Sequence, residues 1–424
     1  MVGLVIAVLV GFIGLALDGG HLYLTKTELQ NSADACALAA SYELTGAPSI
    51  APASFARAEA AGQTVGQMNK VDFQNSAIAS SNISVSFGTA LNAGSTWVNA
   101  GAASPSSQYV RCTLTRSGIM PWFMQVLGFG VQTVSSLATA TLAPSQTNCA
   151  MPMAMCVQAG GTAANNFGYT VGNWYGLDFK DTGGAANYTG NFRWIDFDPG
   201  AQTPGCPGGG GQELACMVKG SGQCSLPPPI TGNCAGSGNN TDPGCVGENG
   251  NVSSMAAAYN SRFGLYKGSN NATNAPMDFT GNSYRIGTWT LGSNAYGGAV
   301  AGEQNFKTAR TNFLATQPGY EPGGGYSNTA GGLGSQHDTL GADRRMVIVP
   351  VVDCTGFVGG GSQHAPIRGY ACMLMLDPYD KSGNDVISKI EFEGLSNMAG
   401  SPCASSGVTG DTTSEGPMVP SLVQ

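Results

Sequence analysis

An acidic stretch near the end of the chain is the first place where residue types and spacing suggest chemistry. The residues that match oxygen-ligand positions of a calcium-binding loop are Asp380, Ser382, Asn384 and Glu391. The position where such a loop needs glycine for its sharp turn is Asp385. A hairpin turn around Ser382–Asn384 explains the same segment, because Ser, Gly and Asn favour turns. Calcium is therefore the one candidate cofactor, and the hairpin is its alternative.

Residues that could form a catalytic centre are few. His337 and Asp338 are adjacent and could join one of many serines in a triad. In a Gly-rich stretch, however, such a pair is typical of a solvated loop. The patterns of zinc proteases, serine hydrolases, phosphate-binding loops and dinucleotide-binding turns are absent from the sequence. We therefore predict that the chain is not an enzyme and has no catalytic residues.

The cysteines indicate disulfides rather than a metal site. There are 12 of them, an even number, and no two are spaced as in a CxxC pair. Only 3 histidines accompany them, so a Cys/His zinc site is poorly supplied. Disulfides form in oxidising compartments outside the cytosol. The cysteine usage therefore predicts an extracellular, disulfide-bonded protein.

The composition limits the partners. Only 10% of the residues are charged, compared with about a quarter in an ordinary soluble domain. A surface covered by neutral polar groups suits a packed extracellular assembly, although a biased genome composition would give the same numbers. The net charge of −8 argues against nucleic acid, which requires a basic face.

The N-terminal segment is apolar and uncharged from Met1 to Leu17. As a helix it would rise about 25 Å, close to the thickness of a bilayer core. This predicts a transmembrane helix or a simple membrane anchor. A secretory signal would begin with basic residues, whereas the first one here is Lys26. We therefore expect that Met1 is not the translation start and that a basic leader has been removed.

The helix is expected to continue to about residue 46 as an amphipathic rod. Its apolar stripe consists of Leu22, Leu29, Ala33, Cys36, Ala37, Ala40 and Leu44, which recur at three-, four- and seven-residue steps. The adjacent Gly19 and Gly20 could bend it, and Gly46 with Pro48 would end it. The sequence thus predicts a helix over residues 1–46, apolar all round at first and one-sided afterwards.

A small α+β head is predicted over residues 47–148. Three segments alternate like half-buried strands: Asn82–Phe87, Gln108–Thr115 and Thr133–Leu142. Their apolar faces need a cover, which the helix stripe can supply as it packs on a small antiparallel sheet. Cys36 on the stripe and Cys112 on an inward strand face are predicted to pair. Such a bond would contribute up to about 4.5 kcal/mol in the chain-entropy model.

A Gly-rich, Cys-rich and mainly β outer domain is predicted over residues 149–424, disulfide-stapled and rich in loops. It contains an insertion at about 200–250 whose five cysteines require at least one bond to leave the segment, for example to Cys149, Cys156 or Cys403. The clearest strands are Arg345–Cys354 and Arg368–Leu376. If these strands pair antiparallel, Cys354 and Cys372 could face each other, and we predict a bond between them.

Two stretches resemble the Flp-pilus TadE/TadG-like proteins. One is GLALDGGHLYLTKTELQNSADACALAASYEL in the helix, and the other is YVRCTLTRSGIMPWFMQVLGFGVQTVSSLATATLA after it. The resemblance implies a pseudopilin-like or pilus-associated protein of the bacterial envelope. Two features differ. The glutamate at the fifth position of many mature type IV pilins is Val5 here, and the metal motif of the von Willebrand A domain found in some TadG-like proteins is absent.

These observations lead to one hypothesis with two alternatives. The chain would be a structural subunit of an extracellular Tad/Flp-like pilus, anchored in the inner membrane before assembly, and would contribute to surface adhesion. Its helices would pack through small residues and end their apolar part at an acidic one; these residues are Gly3, Ala7, Gly11, Gly14 and Asp18. Expected partners are further copies of the chain, the inner membrane, the pilus assembly machinery and a surface or host ligand. The alternatives are a minor tip adhesin or membrane-anchored assembly protein, and a membrane-anchored secreted hydrolase.

Overall fold

The structure of the chain is a computed structural model. It describes residues 2–44, 52–92, 94–176, 192–197, 205–208, 210–234, 243–248, 253–278, 284, 294–311, 326–328, 344–357, 363–379, 381–382, 385–386, 388–410 and 414–423. Within these ranges the protein is a mixture of helix and sheet with a long N-terminal helix and six disulfides.

The helices are α1 (Val2–Tyr42), α2 (Pro52–Met68), α3 (Gly211–Lys219), α4 (Ser253–Ser261) and α5 (Phe306–Thr311). The strands are β1 (Lys70–Val71), β2 (Ser76–Ala77), β3 (Ile83–Gly88), β4 (Tyr109–Ile119), β5 (Gln132–Thr147), β6 (Met153–Cys156), β7 (Trp174–Gly176), β8 (Phe192–Asp196), β9 (Cys245–Glu248), β10 (Leu265–Tyr266), β11 (Ser327–Asn328), β12 (Met346–Val352), β13 (His364–Met375), β14 (Lys381–Ser382), β15 (Asp385–Val386), β16 (Lys389–Leu395), β17 (Ala404–Thr409) and β18 (Met418–Leu422).

The chain divides into two compact units. The first contains Met1–Ala143 together with Met418–Gln424, and the second contains Pro144–Pro417. The sequence predicted a border between residues 148 and 149 and a second domain that continues to residue 424. The structure differs at the C-terminus because β18 pairs with β5 and joins the first unit.

The first unit is built around α1, which remains helical through Gly19 and Gly20. Of the predicted stripe, only Leu22 is half-buried, and all the other members are buried. The helix α2, which the sequence did not predict, packs beside α1. A Cβ atom built on Gly62 would lie 3.1 Å from the Cβ atom of Ala40. Glycine thus permits a closer approach of the two helices than a larger residue would.

The stripe of α1 covers one face of an antiparallel sheet, as expected from the sequence. In this sheet β4 lies between β3 and β5, and Cys112 on β4 is opposite Val85 and Ala138. The predicted bond between Cys36 and Cys112 is present, with 6.1 Å between the two Cα atoms. It therefore joins the helix to the central strand inside the apolar core of the first unit.

The second unit contains a mixed sheet of seven strands in the order β12-β6-β8-β9-β13-β16-β7. Because β12 also pairs with β13, five of these strands form a closed ring. The pairing of β12 with β6 is parallel, and the other pairings in the sheet are antiparallel. The segment expected to be an insertion at about 200–250 supplies α3 and the ring strand β9, so part of it belongs to the core structure.

Disulfides connect distant parts of the second unit. The pairs are Cys149–Cys224, Cys156–Cys354, Cys206–Cys216, Cys234–Cys245 and Cys372–Cys403. As the odd number of cysteines in the 200–250 segment required, one bond leaves it, and that bond joins Cys224 to Cys149.

The predicted bond between Cys354 and Cys372 is wrong. The two strands do pair antiparallel, but their register places Cys372 opposite Ile348. Cys354 lies beyond the end of β12, in a short 3-10 turn. It bonds to Cys156, whose backbone pairs with Val352 at the end of β12. A difference in register thus separates two cysteines that the strand pattern alone would bring together.

Candidate assembly surface

A buried carboxylate on α1 holds the connection between β4 and β5. Asp18 is 1% exposed, and its two carboxylate oxygens accept hydrogen bonds from three consecutive backbone N–H groups. These donors are Trp122 at 2.7 Å, Phe123 at 2.8 Å and Met124 at 2.6 Å. They lie at the start of a 3-10 helix, Met124–Leu127, where backbone N–H groups have no partner within the helix. Asp18 thus fixes the position and direction of this helix.

The charge of Asp18 is stabilised by these contacts. Burial by itself raises the pKa of the carboxyl, but the hydrogen bonds from Met124, Trp122 and Phe123 oppose it, and His21 adds a favourable charge interaction. The resulting pKa lies below the ordinary value for aspartate. From the sequence, Asp18 was expected only to end the apolar assembly segment. In the structure it also binds another part of the same unit.

Gly14 lies one helical turn before Asp18 and serves the same contact. A Cβ atom at this position would lie 2.5 Å from the Cβ atom of Phe123, which is closer than two non-bonded carbon atoms approach. Gly11 differs, because a Cβ atom there would meet no atom within 4 Å. For Gly3 and Ala7, the structure describes only the helical backbone. Of the small residues predicted for assembly, Gly14 is therefore engaged within the chain, and Gly11 is open.

His21 contacts both the β4–β5 connection and the turn between β1 and β2. Its ring is stacked between Trp122, at 4.7 Å between centroids, and Phe73, at 5.3 Å. Its Nε2 atom lies 2.6 Å from a carboxylate oxygen of Asp72. Asp72, Phe73 and Gln74 all have positive φ values between 56° and 63°, a conformation that is unfavourable for residues with a side chain. These contacts attach the strained turn between β1 and β2 to α1.

The β4–β5 connection, which Asp18 and Gly14 contact, exposes several apolar side chains. We call its exposed side chains, together with those on the first half of α1, the apolar tip. The members are Phe12, Ile13, Leu15 and Leu17 on α1, and Met120, Trp122, Phe123, Val126, Leu127, Phe129 and Val131 in the β4–β5 connection. Phe12 is 67% exposed and Val126 is 85% exposed. The sequence carries no charge at residues 2–17 or 117–132. Large apolar side chains exposed together on two contacting segments indicate an interaction site.

The comparison with known proteins decides which family the N-terminal segment resembles. Residues 1–58 match the family model described as "Putative Flp pilus-assembly TadE/G-like". The match confirms the resemblance to the TadE/G-like family over α1 and the beginning of α2. It therefore supports a pilus-associated role at the cell surface and an association with pilus machinery. No curated protein and no solved structure matches the chain.

The TadE/G-like segment includes the residues expected to cross a membrane. Among the residues that the structure describes, no helix has both the length and the apolar character needed for a membrane span.

Of the calcium candidates, only Glu391 has a side chain that the structure describes. Glu391 is buried on β16, and its carboxylate accepts hydrogen bonds from Trp174 Nε1 and from the backbone N–H groups of Ala295 and Tyr296. Asp380 and Asn384 lie outside the described residues, and of Ser382 only the backbone is described. Within the described ranges, no group of His, Cys, Asp or Glu is arranged to hold a metal ion.

The alternative explanation of this segment agrees with the structure. Ser382 pairs with Asp385, and Lys381 with Val386, so that β14 and β15 form a hairpin. The pair His337–Asp338 lies outside the described residues, and its predicted lack of a catalytic role stays a prediction.

The roles of His21 and Trp122 were not predicted from the sequence. The available signals were one acidic residue at the end of an apolar helix and an aromatic loop after a proline. Neither signal shows that the acidic residue binds the aromatic loop, because this binding depends on the tertiary contact between α1 and the β4–β5 connection.

Proposed function

We propose that this chain is a structural subunit of an extracellular bacterial pilus or filament of the Tad/Flp type, and that it polymerises through the apolar tip. The observation that carries the proposal is the arrangement of the tip. Two separate segments expose apolar side chains, and a buried aspartate holds one segment against the other. A loop that needed only to close a hairpin would require neither the exposed aromatic residues nor this attachment.

Burial energetics favour association of copies through the tip. Covering a large apolar side chain contributes about 1.5–3 kcal/mol. The absence of charge in both tip segments of the sequence means that two copies can meet there without repulsion. Gly11 leaves open space on α1, which allows the helix of a second copy to approach closely. Identical subunits that meet head-to-tail give an open helical polymer.

A minor, tip-located adhesin or a pilus assembly protein is the second candidate. The observation that favours it is the second unit, Pro144–Pro417, which contains five disulfides and lies outside the TadE/G-like match. Assembly through the apolar tip would use residues of the first unit alone. In this alternative the second unit would bind a surface or host ligand. The absence of enzymatic activity remains our prediction, and hydrolase assays on the soluble chain test it.

Negative-stain microscopy of material sheared from the cell surface tests the proposal. Filaments labelled along their whole length by antibodies against this chain support a shaft subunit, and label confined to filament ends supports the adhesin. Substitution Phe12→Glu should abolish the filaments by placing a charge in the tip. Tyr42→Glu is the matched control, since Tyr42 lies on the same helix and is also 67% exposed. Normal filaments from both variants would contradict assembly through the tip.

A further inference from the structure

A cavity in the second unit has a lining that none of the functions above explains. It has a volume of about 260 Å³ and lies where the end of β5, the C-terminal end of α3 and the start of β12 meet. Its wall combines two arginines with polar and apolar groups: Arg262, Arg344, Asn148, Ser221, Met151 and Met346. Small-molecule sites likewise combine convergent polar groups with apolar side chains, and the polar share is large here.

Among the described residues, two arginines that line the cavity share one carboxylate. Asp278 is fully buried, and its two carboxylate oxygens bind two guanidinium groups, those of Arg262 at 2.9 Å and of Arg344 at 3.0 Å. Within the described residues, no other carboxylate forms an ion pair with either arginine. Within the part of the chain that the structure describes, these two positive charges thus share the carboxylate of Asp278 in a largely buried place, where an unbalanced charge is costly.

The hydrogen bonds show which arginine has capacity to bind a ligand. Arg344 donates to Asp278, to two carbonyls at the C-terminal end of α3 and to the carbonyl of Pro276. Arg262 donates through Nε to Asp278 and through Nη2 to the carbonyl of Arg344. The Nη1 atom of Arg262 has no acceptor among the residues that the structure describes. A side chain that is 4% exposed therefore contributes unused N–H donors to the wall of the cavity.

The electrostatic environment of Arg262 would favour an anion beside it. Burial lowers the pKa of its guanidinium, Asp278 raises it, and the neighbouring Arg344 lowers it again. A second anion next to Arg262 would offset both the burial and the repulsion between the arginines.

We propose that this cavity binds a small ligand through a carboxylate or phosphate group held by Arg262. The methionine side chains would contact the apolar part of the ligand, and the hydroxyl of Ser221 lies in the wall as a further donor. The backbone carbonyl of Arg344 would position Arg262 by accepting the hydrogen bond from Nη2. The side chain of Arg344 would add positive charge. This binding role is independent of assembly through the apolar tip.

Isothermal titration calorimetry on the full chain with its disulfides intact tests the site. The probes are inorganic phosphate and, separately, acetate, at constant ionic strength. We expect saturable binding of at least one of them, and the probe that binds identifies the oxyanion. Ser221→Trp should block the cavity without touching the arginines. Ser225→Trp is the matched control, because both serines are exposed and only Ser221 lines the cavity.

Binding that survives in the Ser225→Trp variant and is lost in the Ser221→Trp variant supports the proposal. Arg262→Lys, which keeps the charge but removes Nη1, should weaken binding by about tenfold or more, the value of a charged hydrogen bond. Failure of the wild-type chain to bind either probe, or equal binding by both tryptophan variants, would show that the arginines and Asp278 serve only to stabilise the fold.

Discussion

Each of the two units contains a buried carboxylate that accepts hydrogen bonds from three N–H groups. The two carboxylates have different structural roles. Asp18 in the first unit accepts three backbone donors of one loop and leaves the apolar side chains of that loop exposed. Glu391 in the second unit accepts Trp174 Nε1 and two backbone donors of the segment after residue 293, and these groups are part of a closed core. The same interaction therefore presents a surface in one unit and completes an interior in the other.

The disulfides follow the same division. The first unit has one bond, between Cys36 and Cys112, and the second unit has five. Much of the second unit consists of connections between short strands, which cross-links stabilise by restricting the unfolded chain. The first unit gains its stability from a long helix packed on a sheet. Its remaining apolar surface is available for contacts with other molecules.

The largest effect that we predict tests the closed core. Glu391→Gln replaces one acceptor oxygen with an amide group whose N–H atoms face the existing donors. We expect the free energy of unfolding of the second unit to fall by about 3 kcal/mol, because buried donors lose their partners. Denaturant unfolding followed by tryptophan fluorescence measures this loss. The control is Glu303→Gln at an exposed position, and an equal effect of both changes would show that Glu391 is not a central contact.

The next effect concerns pH and the neighbour of Glu391. Burial, reinforced by the charge of Glu391, raises the pKa of Glu393 to about 9. Because the unfolded value is about 4.3, the folded chain binds an additional proton between these limits. The free energy of unfolding should therefore fall as the pH rises from about 4.3 to about 9. Thermal unfolding at a series of pH values should show this slope, and Glu393→Gln should flatten it. A slope that is unchanged in the variant would place its origin elsewhere.

A smaller effect on overall stability, but a specific one, is expected at the apolar tip. Asp18→Asn should release the β4–β5 connection while the disulfide and the core of the first unit remain. Hydrogen exchange of the Trp122, Phe123 and Met124 amides should become much faster. Lowering the pH should have the same effect in the wild-type chain, since the carboxylate contributes above its unfolded pKa of about 3.9 and is lost as the pH falls through its lower folded pKa.

The control for this experiment is Asp34→Asn. Asp34 lies on the same helix and accepts a hydrogen bond from the side chain of Gln30. Slow exchange of the three loop amides in the Asp18 variant would mean that the carboxylate does not hold the tip.

The smallest predicted effect separates two glycines of α1. Alanine is about 1 kcal/mol more favourable than glycine inside a helix. Gly11→Ala should therefore stabilise the first unit, since its Cβ atom would enter open space. Gly14→Ala should lose this gain and about 1 kcal/mol more, because Phe123 must move. Denaturant midpoints of the two variants measure the difference, and identical shifts would contradict the contact between Gly14 and Phe123.

Local patterns in the sequence explain which parts of the fold were predictable. The stripe of α1 and the alternation of β4 each identify a buried face, so the pairing of Cys36 with Cys112 follows from two local patterns. The partner of Cys354 depends on strand register and on the parallel pairing of β12 with β6. Neither feature produces a local pattern in the sequence. The helix α3 was missed because the glycines and cysteines around it indicated a loop.

The candidate site was predictable only in part for the same reason. The run of apolar residues identified α1 as an interaction element. Their connection through Asp18 is a tertiary contact between residues that are far apart in the chain. A polar residue in an apolar segment indicates a specific partner, but the identity of that partner requires the structure.

Photo-crosslinking in assembled filaments tests the central claim most directly. A photoreactive amino acid at Val126, in the apolar tip, is compared with one at Met68, which is 70% exposed on α2 of the same unit. Our account predicts that Val126 forms crosslinks to a second copy of the chain and that Met68 forms few. Crosslinks between copies from Met68 but not from Val126 would contradict assembly through the apolar tip.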